Sequence, residues 1–435
     1  MTAQSSFMIL SSVKDTKIEE LTTLLSSMNS TIPAHADPKN DLLPFGRFPR
    51  LHFARFVIIE AHTADEIEAF GIAARPWQPT LAFFGEIDGD IDSFFTELED
   101  LASVGLRKIF ALCEKFPKEE ENLQQWLKKN NTKSNANYVN WIGRTVKHIH
   151  EDDALHQSLA AYLREHKDDI DKNNTLALRQ KLLSHVEMEK YAGRLTLTAE
   201  EKTPLKWKMF NFIHMIGVPL VLVLLSPLFL IMAPFFFIRL RMLERSDPEL
   251  FIRPEHSYLE KLTIQEDWSV SNQYNVFGDI KPGVFRLLTL KFILFLVDYF
   301  SRHVYKRGFL ARIKTIHFAR WVLLDDNKRA FFASNYDGSH ESYMDDFINK
   351  VGWGLNLIFS HAVPYPKTSW LIKQGAYREQ QFKYTQRLHQ LPTEVWYKAY
   401  PDLTNTDLAR NSRIRKGVEI RQSSVDEIRE WLHLI

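Results

Sequence analysis

The hydrophobic pattern is dominated by an apolar run from Met209 to Ile238 that contains no Asp, Glu, Lys or Arg. About 20 apolar residues are enough to cross a bilayer core of about 30 Å. A helix in a soluble core rarely lacks a polar stripe over such a length. The run therefore predicts a membrane-embedded segment over 209–240, with a buried core helix as the alternative.

Prolines and flanking charges bear on the shape of this segment. Pro219, Pro227 and Pro234 each interrupt helical hydrogen bonding. Basic residues occur on both sides of the run, so the positive-inside rule selects no orientation for a single crossing. A re-entrant or monotopic hairpin, with both ends in the cytoplasm, fits the prolines and the flanks together.

A second apolar stretch, Phe285–Phe300, carries Lys291 and Asp298 at helical spacing. This pattern predicts an amphipathic helix over 285–303. Such a helix could lie in the membrane interface, or it could be buried against the protein with one wet edge.

An internal repeat flanks the membrane segment. The heptapeptide Leu51–Val57 (LHFARFV) recurs as Ile316–Val322 (IHFARWV), so that His317 follows His52 by 265 positions. A second block recurs at a spacing of 249, pairing Asp88-Gly89 with Asp337-Gly338. Two blocks in the same order indicate a duplicated unit.

Residue patterns within each unit predict strands and a helix in the same order. Branched and aromatic runs predict first strands at His52–Glu60 and His317–Leu324, and second strands at Leu81–Ile87 and Ala330–Tyr336. Helical periodicity follows at Asp92–Leu101 and Glu341–Val351, with Gly105 and Gly354 as stop signals. Third strands are predicted at Leu106–Phe116 and Leu355–Val363, and fourth strands near Tyr138–Val146 and Glu394–Tyr400. This order predicts an α+β fold whose two copies pack together on one side of the bilayer.

These patterns divide the chain into consecutive segments. They are an N-terminal helical or flexible segment at 1–48, a first repeat at 49–165, a helical linker at 166–208, the membrane-embedded segment at 209–240, a connector at 241–312 that contains helix 285–303, a second repeat at 313–418 and a C-terminal helix at 419–435.

Composition narrows the class of protein. The chain has 435 residues, with 55 Lys+Arg against 54 Asp+Glu, so it has no basic excess of the kind that favours a nucleic-acid partner. The single cysteine, Cys113, excludes an internal disulfide and a Cys-rich metal site. The N-terminal residues do not match a cleavable signal peptide. We therefore expect a membrane location with the polar repeats facing the cytoplasm.

The tandem units resemble the dimeric α+β-barrel, or ferredoxin-like, superfamily, which includes dye-decolourising peroxidases and chlorite-dismutase-like haem proteins. The stretch Thr315–Tyr365 also resembles bacterial membrane-associated proteins of poorly defined function related to that superfamily. The peroxidases carry a Gly-x-x-Asp-Gly motif. Gly85–Gly89 matches it, whereas Asn335–Gly338 keeps only the Asp-Gly pair.

The resemblance implies two ferredoxin-like repeats packed as a pseudo-dimer, with a membrane-embedded helical hairpin and an interfacial helix between them. It also implies a haem cofactor, a catalytic Asp, a nearby Arg and a histidine that binds the iron. In the second repeat Asp337, Arg320 and His361 are the candidates for these catalytic roles. The candidate cofactor contacts are His361, Arg320, His317 and Asn335, and His361 is the candidate metal ligand.

The residues themselves leave structural alternatives open. Arg320, like Arg55, lies within an apolar strand, so its charge must be paired or reach a polar cavity. A structural ion pair with a strand or turn carboxylate, for example Asp88 or Asp337, is one interpretation; an anionic ligand such as a fatty-acid carboxylate or haem propionate is the other. His361 replaces Leu112 of the first copy and could be a ligand or a hydrogen-bonded core histidine.

Two functional classes follow. One is a membrane-associated, cytoplasm-facing oxidoreductase, haem peroxidase-like, that acts on a hydrophobic substrate. The other is a non-catalytic membrane protein whose tandem repeats bind a lipid, a small ligand or a protein partner. Both classes have the lipid bilayer as a partner, and neither involves nucleic acid.

Overall fold

A computed structural model describes residues 3–116, 122–168, 174–305, 308–420, 422 and 424–435. Parts of the predicted segments, namely 1–2, 117–121, 169–173, 306–307, 421 and 423, lie outside the described residues. The structure is of mixed α+β class with antiparallel sheets and two long apolar helices, as the sequence predicts at that level.

Eight strands form two four-stranded antiparallel sheets within the described residues, and two further short strands pair with each other. The strands are β1 Gln4–Ser12, β2 Leu51–Ile59, β3 Thr80–Asp88, β4 Ala136–Val139, β5 Ser271–Asp279, β6 Ile316–Leu324, β7 Arg329–Asp337, β8 Thr368–Ser369, β9 Lys373–Gln374 and β10 Val395–Lys398. The first sheet has the order β1-β3-β2-β10 and the second has the order β5-β7-β6-β4.

The α-helices pack on the sheets or on one another. They are α1 Ile18–Ser26, α2 Ile91–Phe110, α3 Leu123–Asn130, α4 Val146–Glu165, α5 Thr175–Tyr191, α6 Leu205–Leu224, α7 Ser226–Ser246, α8 His256–Thr263, α9 Val284–His303, α10 His340–Phe359, α11 Glu379–His389, α12 Asn405–Glu419 and α13 Val425–Leu432.

Three apolar cores order these elements into layers. Side chains of both sheets, including Met8, Phe84, Val322 and Phe331, form a core between the sheets. The outer face of the first sheet packs on α1, α2 and α3. The outer face of the second sheet packs on α9, α10 and α11. The sheets therefore lie face to face with helices on both outer sides.

The two short edge strands are exchanged between the sheets. β4 pairs with β6 and β10 pairs with β2, so each strand joins the sheet formed by the other half of the chain. The registers correspond, because Asn137 lies opposite Arg320 and Trp396 lies opposite Arg55. The repeat pattern alone places each fourth strand in its own unit, and the structure corrects that placement.

The predicted third strands at 106–116 and 355–363 are wrong, because α2 and α10 continue to Phe110 and Phe359. The apolar face of α2 keeps helical spacing past the expected stop, through Leu98, Ala102, Leu106 and Ile109. Gly105 does not end the helix. It allows the helix to approach the chain at Leu42, whose carbonyl oxygen occupies the space that a Cβ atom on residue 105 would need.

The sequence patterns also miss β1 and β5, which are edge strands of the first and second sheet. β5 lacks apolar alternation because it buries polar residues, among them Asn272, Gln273 and Asn275. These side chains form hydrogen bonds instead of an apolar face; Asn275, for example, donates to the hydroxyl of Thr393 over 2.8 Å. Strands of this kind lack the signal on which pattern reading depends.

Helices α6 and α7 are long and apolar enough to cross a membrane, and 0% and 6% of their apolar windows are buried in the protein. Only Leu225 separates them, and Pro219 and Pro234 lie inside them. Both helices contact the same helix, α9: the Tyr299 hydroxyl donates to Met215 O over 2.7 Å, and the Phe229 and Phe292 rings lie 6.1 Å apart.

These contacts show that the helix pair is bent. A straight helix would advance about 21 Å from Met215 to Phe229, whereas their partners Tyr299 and Phe292 are about 10 Å apart along α9. Because of the bend, α7 contacts α9 again after the chain has moved away from α9 at the end of α6. The side chains at the bend, including Leu220, Val223 and Leu224, are exposed.

Candidate functional site

The largest feature near these helices is a cavity of about 980 Å³ between α7, α9, α10 and the outer face of the second sheet. Its described lining residues are almost all apolar. They include Met232, Phe236, Phe285, Leu288, Phe292, Val297, Trp321, Phe332, Phe347, Leu357 and Phe359. This volume lies at the upper end of the usual range of about 300–1,000 Å³ for small-molecule sites.

Helix α9 forms one wall of this cavity and also presents apolar residues to the outside. Val284 and Phe295 are exposed and do not line the cavity, while Leu290 and Leu294 are buried against the second sheet. The predicted amphipathic helix 285–303 is therefore a helix. One of its faces is buried against the protein, and its location in the membrane interface stays a prediction.

Two glycines show how the described residues of the two halves differ beside their long helices. Gly105 in α2 and Gly354 in α10 occupy equivalent positions of the repeat. Gly105 packs against Leu42, and the preceding chain supplies Leu43, Phe45 and Phe48 to the first core. A Cβ atom added to Gly354 would meet no atom within 4 Å, and this glycine lines the cavity instead. The second half thus has open space where the first half packs its own chain.

Arg320, the first predicted site residue, is buried between the sheets and bonded to protein groups. Its guanidinium donates to Phe7 O over 2.6 Å, to Gly85 O over 2.9 Å and to the carboxylate of Glu86. Glu86 lies in β3, so the pair is a structural ion pair with a strand carboxylate, although neither Asp88 nor Asp337 is the partner. Asn335 also donates to Glu86, over 3.1 Å.

Asp337 and His317 form a second buried pair. The Asp337 carboxylate lies 2.6 Å from His317 Nε2 and accepts from the backbone N–H of Asn405 over 2.7 Å. Because Asn405 begins α12, Asp337 supplies an acceptor to the first turn of that helix. His52 and Asp88 make the same arrangement at the first turn of α4, with 2.9 Å between them.

His361 is fully buried at a different place. Its backbone carbonyl accepts from Lys281 N over 2.8 Å, beside the end of β5. Neither ring nitrogen has a hydrogen-bond partner among the described residues. Burial, with smaller contributions from Arg286 and Lys281, lowers the pKa of His361 to about 3, so the ring is neutral near pH 7.

The three predicted catalytic residues are therefore not brought together. β5 and β7 are antiparallel, with Asp337 opposite Ser271 and Arg329 opposite Asp279. His361 lies beside the Asp279 end, so about 26 Å of strand separates it from Asp337. Arg320 lies near the middle of the same sheet, opposite Ala333.

The described residues do not fit a haem group at His361. The ring lines neither the 980 Å³ cavity nor the cavity of about 50 Å³ beside it. Arg320 and Asp337 are hydrogen-bonded to protein atoms. In the described part of the chain, no group of three His, Cys, Asp or Glu side chains could hold a metal ion. Haem chemistry and oxidoreductase activity therefore stay predictions of the resemblance.

Comparisons with protein-family models, curated proteins and solved structures found no match to this chain. The cavity itself was not predicted from the sequence. Its walls come from residues far apart in the chain, and the one available signal was the apolar character of 209–240 and 285–303. That signal identified the apolar helices α7 and α9, but it did not show that they lie side by side.

Proposed function

We propose that this protein is held at a bilayer surface and binds a lipid or another hydrophobic small molecule in the cavity between α7, α9 and α10. The observation that carries the proposal is the apolar cavity of about 980 Å³, which directly adjoins helices with exposed apolar side chains. This function corresponds to the non-catalytic alternative of the sequence analysis.

The membrane part of the proposal rests on exposed apolar surface. The residues of α6 are not buried by the protein, and α9 adds Val284 and Phe295, which are exposed and do not line the cavity. Apolar surface that extends over a whole helix and part of another is rare on soluble monomers and is typical of membrane contact. Because α6 and α7 both return to α9, we propose a monotopic insertion with both sheets on the same side of the bilayer.

The binding part rests on the difference between the two halves. Leu42 and Leu43 fill the space beside α2, whereas the corresponding space beside Gly354 is open and lined by apolar side chains. A hydrophobic ligand would cover these apolar side chains, and burial of apolar surface is favourable. A cavity next to the bilayer has direct access to such ligands.

We also propose that the two sheets are copies of one ferredoxin-like unit that pack as a pseudo-dimer with exchanged edge strands. The equivalent strand order of the sheets and the equivalent pairing of β4 and β10 support this assignment. The cytoplasmic location of the sheets remains the expectation from the sequence.

A nitroxide label at position 354 tests the proposed environment of the cavity. Gly354→Cys should be tolerated because a Cβ meets no atom within 4 Å, and burial raises the pKa of Cys113 to about 11, which leaves the native thiol unreactive. In phosphatidylcholine nanodiscs, we expect the label to be accessible to oxygen and shielded from a water-soluble nickel chelate. Glu187→Cys, on an exposed side chain of α5, is the aqueous control. A label at 354 that is as nickel-accessible as the label at 187 would contradict the proposal.

A further inference from the structure

We propose that the ligand of this cavity is a long-chain carboxylic acid whose carboxylate binds Arg239. This inference rests on the proposed function and adds the chemical class of the ligand to it. Arg239 is the one charged residue among the described residues that line the cavity. A cation at the edge of an apolar site selects a ligand that is apolar over most of its length and anionic at one end.

Arg239 lies at one end of the cavity. It follows Phe236 by three residues on α7, and residues at that spacing share a helix face. The Phe236 ring lies 5.1 Å from the ring of Phe285, in the first turn of α9. Arg239 is itself exposed, and no ion pair to it is present among the described residues. Its guanidinium is therefore available to a carboxylate, which it can bind with two parallel hydrogen bonds.

The neighbouring carboxylates are already paired with other groups. Asp247 binds Lys281 over 2.9 Å and Arg286 over 2.5 Å. Glu244 pairs with Arg241 and accepts from two backbone amides. No acidic residue lies in the first turn of α9. This end of the cavity consequently has more cationic than anionic side chains, and an added carboxylate would balance the excess.

The length of the cavity fits an alkyl chain. Its lining extends along α9 from Phe285 to Ser301. Those 16 residues of helix correspond to about 24 Å. The lining is therefore longer than one leaflet of the hydrocarbon core is deep, which is about 15 Å because the whole core is about 30 Å. A carboxylate at Arg239 therefore leaves room for an extended long chain running towards Ser301.

The test compares two photoreactive probes on the full-length protein in phosphatidylcholine nanodiscs. One probe is a long-chain fatty acid with a diazirine at its far end, and the other is its methyl ester. We expect both to cross-link to α9 or α10, and the acid to bind more tightly. Arg239→Gln should weaken binding of the acid about fivefold, the upper range for an exposed ion pair, and leave binding of the ester unchanged.

Two further variants separate the outcomes. Arg245→Gln removes a charge from the same helix at a residue outside the cavity lining, and it should leave both probes unaffected. Arg239→Lys should retain most of the preference for the acid. Equal effects of Arg239→Gln and Arg245→Gln, or equal affinity of wild-type protein for acid and ester, would overturn the assignment of Arg239 while the cavity function stands. Absence of cross-links to α7, α9 and α10 with both probes would instead refute the proposed function.

Discussion

Arg55 and Arg320 make equivalent hydrogen bonds in opposite directions between the two sheets. Arg320 donates to the carbonyl oxygens of Phe7 and Gly85 on the first sheet; Arg55 donates to those of Tyr274 over 3.3 Å and Ser334 over 3.1 Å on the second. The third contact differs, because Arg320 has the carboxylate of Glu86 and Arg55 has the amide oxygen of Asn275. The two arginines therefore tie the sheets together with a single carboxylate between them.

Arg320→Met should destabilise the fold strongly. The change leaves the Glu86 carboxylate buried without its cation, and breaking a buried ion pair in this way costs about 3–5 kcal/mol. Arg55→Met should cost less, because it leaves no charge unpaired and because burial already lowers the pKa of Arg55 to about 9. Thermal unfolding of the two variants in the same detergent measures the difference. An equal or smaller loss for Arg320→Met would show that Arg320 does not have this structural role.

Asp337→Ala should also destabilise the protein, by about 2–3 kcal/mol. It removes the acceptor for the Asn405 N–H and the partner of His317, and each buried donor left without its acceptor costs about 1 kcal/mol or more. Asp337→Asn keeps an acceptor and should cost less. Asp88→Ala should behave like Asp337→Ala in a chemical denaturation series. If Asp337 instead served catalysis alone, its removal would leave unfolding unchanged.

The strands could be predicted where apolar residues repeat and could not where polar residues are buried. The duplicated heptapeptide located β2 and β6, and the Asp-Gly pairs located the ends of β3 and β7. Strand β5 was missed because it buries amide side chains, and Gly105 was misinterpreted because its role is a close approach to Leu42. The exchange of β4 and β10 could not be predicted from the repeat pattern, because either strand could pair with either sheet.

His361→Leu should be tolerated and should reduce the sensitivity of the fold to acid. The buried ring has no hydrogen-bond partner among the described residues, so an apolar replacement removes a desolvation cost. Its pKa is lowered to about 3, mainly by burial, so between pH 6.5 and 3 the unfolded state binds the proton and the folded state does not. The contribution of this histidine to the free energy of unfolding is therefore fully present above pH 6.5, and it is lost as the pH falls towards 3.

From pH 7 to pH 5 this histidine should account for a loss of about 2 kcal/mol. Unfolding measured at both pH values should show that difference reduced in His361→Leu. His340, whose pKa burial lowers to about 2, provides a residual acid sensitivity in the variant. An unaltered pH dependence in His361→Leu would contradict this assignment.

The same variant bears on the haem prediction. Because the His361 ring lines neither nearby cavity, we expect no Soret band in the visible spectrum of protein purified after expression with added haem. A Soret band in the wild-type protein that His361→Leu removes or shifts would restore the peroxidase-like function.

The central claim is that the cavity beside α10 holds a hydrophobic molecule, and ligand occupancy of a filled-cavity variant tests it most directly. Gly354→Leu places a side chain into open space within the cavity, and Gly217→Leu makes the same change in α6, also in open space and outside the cavity lining. Leu is the better helix former at both positions, so both variants should fold. Bound lipid per chain, quantified by mass spectrometry after purification, should fall in Gly354→Leu and stay at the wild-type level in Gly217→Leu. Equal occupancy in all three proteins, or no bound hydrophobic molecule in any of them, would contradict the account.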